Sequence, residues 1–289
     1  MLRILWTQKQ DEGPAPRQSA AMAYDSGRGR TVLFGGLSAA VADLGDTWEW
    51  DGANWTLMAD SGPPPRSGSV MAYDAQRSQT VLFSGSNAAP DTWGWDGNNW
   101  TQLADSGPPK RSFSAMVYDG KRQRSVLFGG SGGPNIRLSD TWQWDGAAWT
   151  QVSETTPPAR DGHSMAYDSN RDRTVLFGGV TSAATLGDTW EWDGAAWTQA
   201  SSFGTQPCNA AAMAFKGDSV ALFGGQSSAF ASTGITWTWD GQHWTLRQDF
   251  APPPRFGHAM CYDLKRACLV VFGGRDTGAL GDTWEHSEG

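Results

Sequence analysis

A unit of about 45 to 49 residues runs through this chain six times. Its anchors are a Tyr-Asp pair, a Val-Leu-Phe-Gly-Gly run, and then Trp-x-Trp-Asp-Gly-x-x-Trp-Thr. In the first copy these are Tyr24-Asp25, Val32 to Gly36, Trp48-Glu49-Trp50-Asp51-Gly52 and Trp55-Thr56. The aromatic anchor returns at Tyr73, Tyr118, Tyr167, Phe215 and Tyr262. A fixed period of this length marks stacked supersecondary units, none of which can bury its apolar surface alone. It argues for one closed object over residues 1–289, where length alone would allow two ordinary domains.

Each unit reads as four short strands. The first ends at Tyr-Asp, as in Ser19 to Tyr24. The second is the β-branched and aromatic run Thr31-Val32-Leu33-Phe34, closed by Gly35-Gly36. The third carries Trp48 and Trp50 on one face by the strand period of two. Asp51-Gly52 supplies the turn into a fourth strand opened by Trp55-Thr56, and Pro63-Pro64-Pro65 punctuates the passage onward. No useful length holds a helical period. Short antiparallel strands with a turn every ten residues or so predict an all-β fold. A small sheet that is apolar on both faces must be covered twice, and radial stacking of like sheets does that. The small residues of Ser67-Gly68-Ser69, Ser112-Phe113-Ser114 and Asn209-Ala210-Ala211-Ala212 place the first strands innermost, where a ring crowds its axis.

The tryptophans test this parse. The chain has 17, and five units supply three each. The two left over are Trp284, in the third strand of the last unit, and Trp6. Because Trp6-Thr7-Gln8 matches Trp149-Thr150-Gln151, the N-terminal segment is expected to complete the last unit and close the ring. The units then run over 17–57, 66–103, 111–152, 160–200, 208–247, and 255–289 plus 3–8.

Together these features resemble the kelch repeat: a Gly-Gly doublet after an apolar strand, a Tyr before it and a Trp beyond it. The resemblance extends from Trp6 to Trp284, and the Leu-Gly-Asp-Thr-Trp-Glu-Trp-Asp-Gly form at 44–52 and 186–194 looks like bacterial kelch-type repeats. It implies a six-bladed β-propeller. Such folds host protein-binding modules, a sialic acid epimerase, nitrile-specifier proteins and galactose oxidase, so the fold by itself leaves activity open.

The net charge of −8 disfavours nucleic acid and anionic membrane as partners. No apolar run reaches the length that crosses a bilayer. The opening Met1-Leu2-Arg3-Ile4-Leu5-Trp6 turns polar too soon for a signal peptide, yet a cleaved leader would leave the same beginning. The compartment stays open, with a lean to a secreted or cell-surface bacterial protein. A closed ring offers no free sheet edge, which makes a monomer the expectation. Of the three cysteines, Cys261 and Cys268 flank one hairpin and could face each other, while small buried thiols are the plainer reading.

Loop position sorts the candidate site. The segments entering the first strands and the loops after Gly-Gly share one face. On the other face Tyr-Asp-x-x-Arg recurs at Arg28, Arg77, Arg122, Arg171 and Arg266, a regularity that suits turn structure and salt bridging. The first face varies from unit to unit, and variable loops on a rigid scaffold are the usual seat of binding. It also carries Arg17, Arg66, Arg111, Arg160 and Arg255 at the strand entrances. Guanidinium groups there could clamp a carboxylate or phosphate, as matching arginines do in kelch domains that bind acidic peptides. They could equally pair with a neighbouring blade's Asp, such as Asp46 or Asp188. His163 and His258 occupy equivalent places in the fourth and sixth units, with Phe113 and Phe256 near the same entrances.

The fifth unit departs from the pattern, with Cys208 in place of Arg and Ile235 in place of Asp. No metal set, cofactor motif or catalytic constellation stands out. All five tyrosines are scaffold anchors, so none is spare for a radical oxidase resembling galactose oxidase. The expectation is a non-catalytic binding propeller for an anionic peptide or glycan. The alternatives are a sugar-modifying enzyme resembling sialic acid epimerase, with His163 or His258 as acid or base, and a structural or engineered repeat scaffold without a ligand.

Overall fold

The computed structural model describes residues 5–9, 12–152, 157–202, 204–247 and 252–287. The ends of the expected closing unit, residues 3, 4, 288 and 289, lie outside the described residues. All regular structure among those described is strand. The first blade is Ala21–Asp25, Arg30–Ser38, Asp43–Trp50 and Trp55–Ala59, paired antiparallel in chain order. Four blades repeat this plan, starting at Val70–Asp74, Ala115–Asp119, Ser164–Asp168 and Ala212–Phe215. The sixth takes Ala259–Asp263, Cys268–Phe272 and Thr283–Ser287 from the C-terminal end and Leu5–Gln8 from the N-terminal end. Trp6 pairs with His286 there, the register that Trp55 and Trp50 hold in blade one. The molecule is a six-bladed β-propeller closed by its N-terminal strand.

The first strands pack against one another in a cycle, blade one to two and so on to six and back to one. At their entrances lies a second ring of contacts, a belt of backbone hydrogen bonds. The amide of Gly68 donates to the Ser19 carbonyl, Phe113 to Gly68, Gly162 to Phe113, Ala210 to Gly162, Gly257 to Ala210 and Ser19 to Gly257, at 2.6 to 2.9 Å. All six residues have left-handed φ, between 51° and 64°. Three are glycine, which takes that conformation freely; Ser19, Phe113 and Ala210 take it at a steric cost.

The second strands are the dry heart of each blade. Val32, Leu33 and Phe34 are fully buried, as are their counterparts Val81, Leu82 and Phe83, so both faces of the sheet are covered. The doublet that ends the strand turns hard against the next blade. A Cβ on Gly35 would lie 2.6 Å from the Arg66 carbonyl oxygen, which leaves glycine alone able to fit without movement. Blade two places Ser84 at this position, also left-handed, and its hydroxyl accepts a hydrogen bond from the Arg111 amide.

One joint recurs between all blades. The fourth-strand indole lies against the second-strand phenyl ring of the preceding blade: Trp100 on Phe34, Trp149 on Phe83, Trp197 on Phe128, Trp244 on Phe177, Trp6 on Phe223 and Trp55 on Phe272. Ring centroids are 5.0 to 5.3 Å apart. In five joints the indole N–H also donates to a threonine hydroxyl of that preceding blade, as Trp100 does to Thr47 at 2.8 Å. The closing joint lacks this bond: Trp6 Nε1 and Thr236 Oγ1 are both buried without partners.

Removing an indole from any joint should cost about 3–5 kcal/mol, so Trp6→Ala is expected to destabilise the ring as much as Trp100→Ala in urea unfolding. Trp6→Phe should be milder than Trp100→Phe, since only the second breaks a hydrogen bond and strands Thr47. Equal losses for the two Phe variants would contradict this account of the closing joint.

Candidate functional site

The entrances of the first strands and the loops after the second strands open into a cup of about 410 Å³ at one end of the axis. The opposite funnel, of about 450 Å³, is walled by the tyrosine anchors and a ring of methionines from the first strands. The expected division of faces therefore holds, and the side chains of the two ends differ in kind. At the tyrosine end the residues repeat. At the cup, one register position carries Gln18, Ser67, Asp161, Asn209 and Phe256 in turn on equivalent backbone.

The five arginines do not face this cup as cations. Arg17, Arg66, Arg111, Arg160 and Arg255 are at most 2% exposed. Each forms a two-pronged pair with an aspartate of its own blade: Asp46, Asp91, Asp140, Asp188 and Asp282. Nη1 also donates to the carbonyl of the residue after the second-strand phenylalanine, and Nε to the carbonyl two residues back, Ala15 for Arg17 and a proline for the other four, as Arg66 does to Ser84 and Pro64. The same aspartate accepts the third-strand indole N–H, Trp48 to Asp46 at 2.7 Å. Burial pushes the Asp46 carboxyl up, but the bonds from Arg17 and Trp48 outweigh it and hold it below its ordinary range. The expectation of pairing with a neighbouring blade is corrected: the pair is internal to each blade, because the entrance segment crosses the start of its own third strand. A ligand reaching these guanidinium groups would have to displace a buried carboxylate.

The fifth blade lacks both halves of this pair. Cys208 and Ile235 line a void of about 20 Å³ with Leu222 and Trp237 where the ion pair stands elsewhere. Losing both charges together avoids stranding one of them in the interior. Cys208 is buried and its thiol is pushed up to about 12 by desolvation. Its neighbours Asn209, Ala210 and Ala211 form that blade's share of the cup wall. Cys261 and Cys268 are free buried thiols in diagonal register, opposite Val270 and Asp263, and do not face each other directly.

His163 and His258 do line the cup, on its floor, at 5% and 6% exposure. Each packs edge-on against a phenyl ring of the preceding blade, Phe128 and Phe223, at 5.3 and 5.1 Å. Neither ring nitrogen of either residue is hydrogen-bonded. Burial and the adjacent Arg160 push His163 down to about 3, and burial with Arg255 does the same to His258. The Phe128 and Phe223 carbonyls pull the other way, close enough to act on the rings but outside hydrogen-bonding geometry. Ser69 in the second blade completes this floor, with its hydroxyl also lacking a partner. An unpaired buried polar group costs about 1–3 kcal/mol.

Phe113 stands on the rim, 42% exposed, its ring laid over Gly68. Phe256 is half-buried on the far side. Asp161 is raised by burial and only partly relieved by Arg137, 3.1 Å away. Outside the cup, Val41 and Phe230 project from loops of the same face at 76% and 83% exposure, both with φ of 60°. Among the described residues, no three His, Cys, Asp or Glu side chains converge as a metal site would require. Sequence reasoning missed the hydrogen-bonded belt, since Ser19, Phe113 and Ala210 carry no mark of left-handed backbone; Gly68, Gly162 and Gly257 at the same register were the available signal. The Arg–Asp pairing was also readable, because the fifth unit loses both residues at once.

A family model, the KLHDC2/KLHL20/DRC7 Kelch-repeats domain, matches residues 91–245, more than half of the chain. The solved structure of YjhT aligns with a TM-score of 0.75 over 94% of this chain and 95% of that one, at 14% identity, a likeness of fold alone. No curated protein matches the sequence.

Two outcomes follow from the charges. Arg66→Ala should cost about 3–5 kcal/mol by stranding Asp91, whereas Arg66→Cys with Asp91→Ile, a copy of blade five, should cost less than the two single changes combined. Additive losses in a double-mutant cycle would refute the pairing argument. Second, the folded-state values of His163 and His258 lie below that of free imidazole, so the unfolded chain binds protons first as pH falls. Stability is whole above about pH 6.5 and is lost on acidification from there toward about 3. The buried aspartates add their own loss only below about pH 4. The fall in urea midpoint between these ranges should flatten in the His163→Phe, His258→Phe double variant.

Proposed function

The chain belongs to the kelch-repeat domain family, and on that footing we propose that it is a non-catalytic binding propeller whose ligand, a peptide or a glycan, sits in the cup at the variable-loop end of the axis. One observation carries this reading. The cup holds chemically different side chains on repeated backbone, while the opposite end repeats the same residues. A purely structural ring has no need for such variety at one register, and a binding site does. The arginines serve the site indirectly. By tying the entrance segment to the third strand of its own blade in five of the six blades, they fix the backbone from which Gln18, Ser67, Ser112, Asp161 and Phe256 project.

The epimerase-like alternative asks one histidine to take and return a proton near neutral pH. Burial that holds His163 and His258 neutral down to about 3 makes them poor candidates for that exchange. The rim phenylalanine offers a clean test. Phe113→Gly replaces a strained left-handed residue by the one found at this register in blades two, four and six. Its melting temperature should stay level or rise, while retention on glycan or peptide arrays falls relative to the unaltered protein. Unchanged retention would remove Phe113 from the site, and an unaltered protein silent on every array would defeat the binding reading.

A further inference from the structure

The wall of the cup at blades four and five presents oxygen. Among the described residues that line the cup there is no lysine or arginine, and Asp161 is the one carboxylate. Two side-chain amides of blade five stand with it. Asn209 Nδ2 donates to the Gln226 carbonyl and Gln226 Nε2 to the Phe230 carbonyl, both at 3.3 Å. Each amide nitrogen is thereby spent on the protein, and the side-chain oxygen is what remains for a visitor. The Ala210 amide bonds to the Gly162 carbonyl at 2.7 Å, which sets Asn209 and Asp161 side by side on adjoining blades.

The other aspartates of the repeat show how unusual Asp161 is. Each entrance aspartate accepts two bonds from its arginine and one from an indole, as Asp46 does. The hairpin aspartates accept backbone amides and an arginine bond, as Asp25 does. The Asp161 carboxylate accepts no hydrogen bond among the described residues. It is 18% exposed, and Arg137 Nε, 3.1 Å from one oxygen, is not aligned to donate. Burial pushes Asp161 up against the opposing pull of Arg137, while at the five entrance aspartates burial is outweighed by the arginine and indole bonds. The same register holds Ser67 and Asn209 in other blades.

Resting on the binding reading above, we infer that the cup receives a cationic group, an alkylammonium or a guanidinium, with Asp161 as its counter-ion and the Asn209 and Gln226 side-chain oxygens as further acceptors. Both groups carry donors only, and their bonds to a carboxylate are the strong, charge-assisted kind. Phe113 and Phe256 add phenyl faces for the cation to rest against. The net charge of −8 draws cations toward the protein, whereas an anion would meet no lysine or arginine in the lining. Two sources carry this chemistry: a lysine or arginine side chain of a peptide, and a free polyamine.

The test is titration calorimetry with lysine- and arginine-containing peptides, spermidine, glutamate-containing peptides and neutral oligosaccharides. It compares the unaltered chain with Asp161→Asn, Arg137→Gln and Asp60→Asn. Basic peptides, spermidine or both should bind, and which of them does identifies the source. Asp161→Asn should weaken that binding about tenfold or more, the loss expected when a bond to a charged group goes, while the melting temperature holds or rises. Arg137→Gln should strengthen it by removing a competitor for the carboxylate. Asp60→Asn removes the same charge from an exposed loop outside the cup and should leave binding unchanged. Cation binding that survives Asp161→Asn, or that falls equally with Asp60→Asn, would overturn the inference. So would a melting temperature that drops in step with the lost binding. Binding of acidic peptides or neutral oligosaccharides alone would overturn the cation assignment and leave the binding reading standing; silence in every arm would end both.

Discussion

An indole laid on the phenyl ring of the blade before it is the contact on which this molecule depends. No blade is a stable object alone, because its second strand is apolar toward both neighbours. Each joint buries two large aromatic surfaces in a tilted or edge-on arrangement, and five of them add a hydrogen bond from indole to threonine. Six such joints in a cycle leave no unpaired end, provided that Trp6 fills the last place. The rest is a consequence. Closure presses the first strands together around an axis, crowding makes their entrances turn left-handed, and the turned amides bond to each other in a belt. That belt is the rim on which the cup is built.

The entrance arginines are paired within blades, and the indole-on-phenyl joints lie between them. Each entrance arginine is spent on an aspartate that also holds a tryptophan, so three conserved-looking features of the repeat are one local network. The fifth blade shows the logic by its exception. It lacks the arginine and the aspartate together and closes around them with only a small void. A lone charge there would have to be buried unpaired, at a cost of several kcal/mol; a matched apolar pair is tolerated. At the other face, Arg28 and its counterparts bond to the hairpin aspartates and lie over the Asp-Gly turn of an adjacent blade, as Arg28 does over Gly97. The Asp-Gly motif is therefore also a seat for a neighbour's side chain.

The cup floor carries unlike side chains at one register of the repeat. Ser69, His163 and His258 stand at the register that Ala20 and Ala211 occupy in two other blades. The rim repeats the theme, with Phe113 held exposed in a conformation that glycine adopts in half of the blades.

The period, the strand pattern and the count of tryptophans determined the six blades, their strand order and the closing role of Trp6 without any coordinates. They could do so because apolar periodicity and turn residues are local signals, and six copies agree. The face that varies was legible for the same reason. What only the tertiary structure decided is which charged and polar groups meet. Arg17 and Asp46 are 29 residues apart, and nothing local tells whether the partner lies in the same blade or the next. Nor could residue type reveal that five arginines are sealed away while two histidines pack against phenyl rings of the preceding blades. Burial and pairing are set by how whole blades pack, and a chain written one residue after another does not display that.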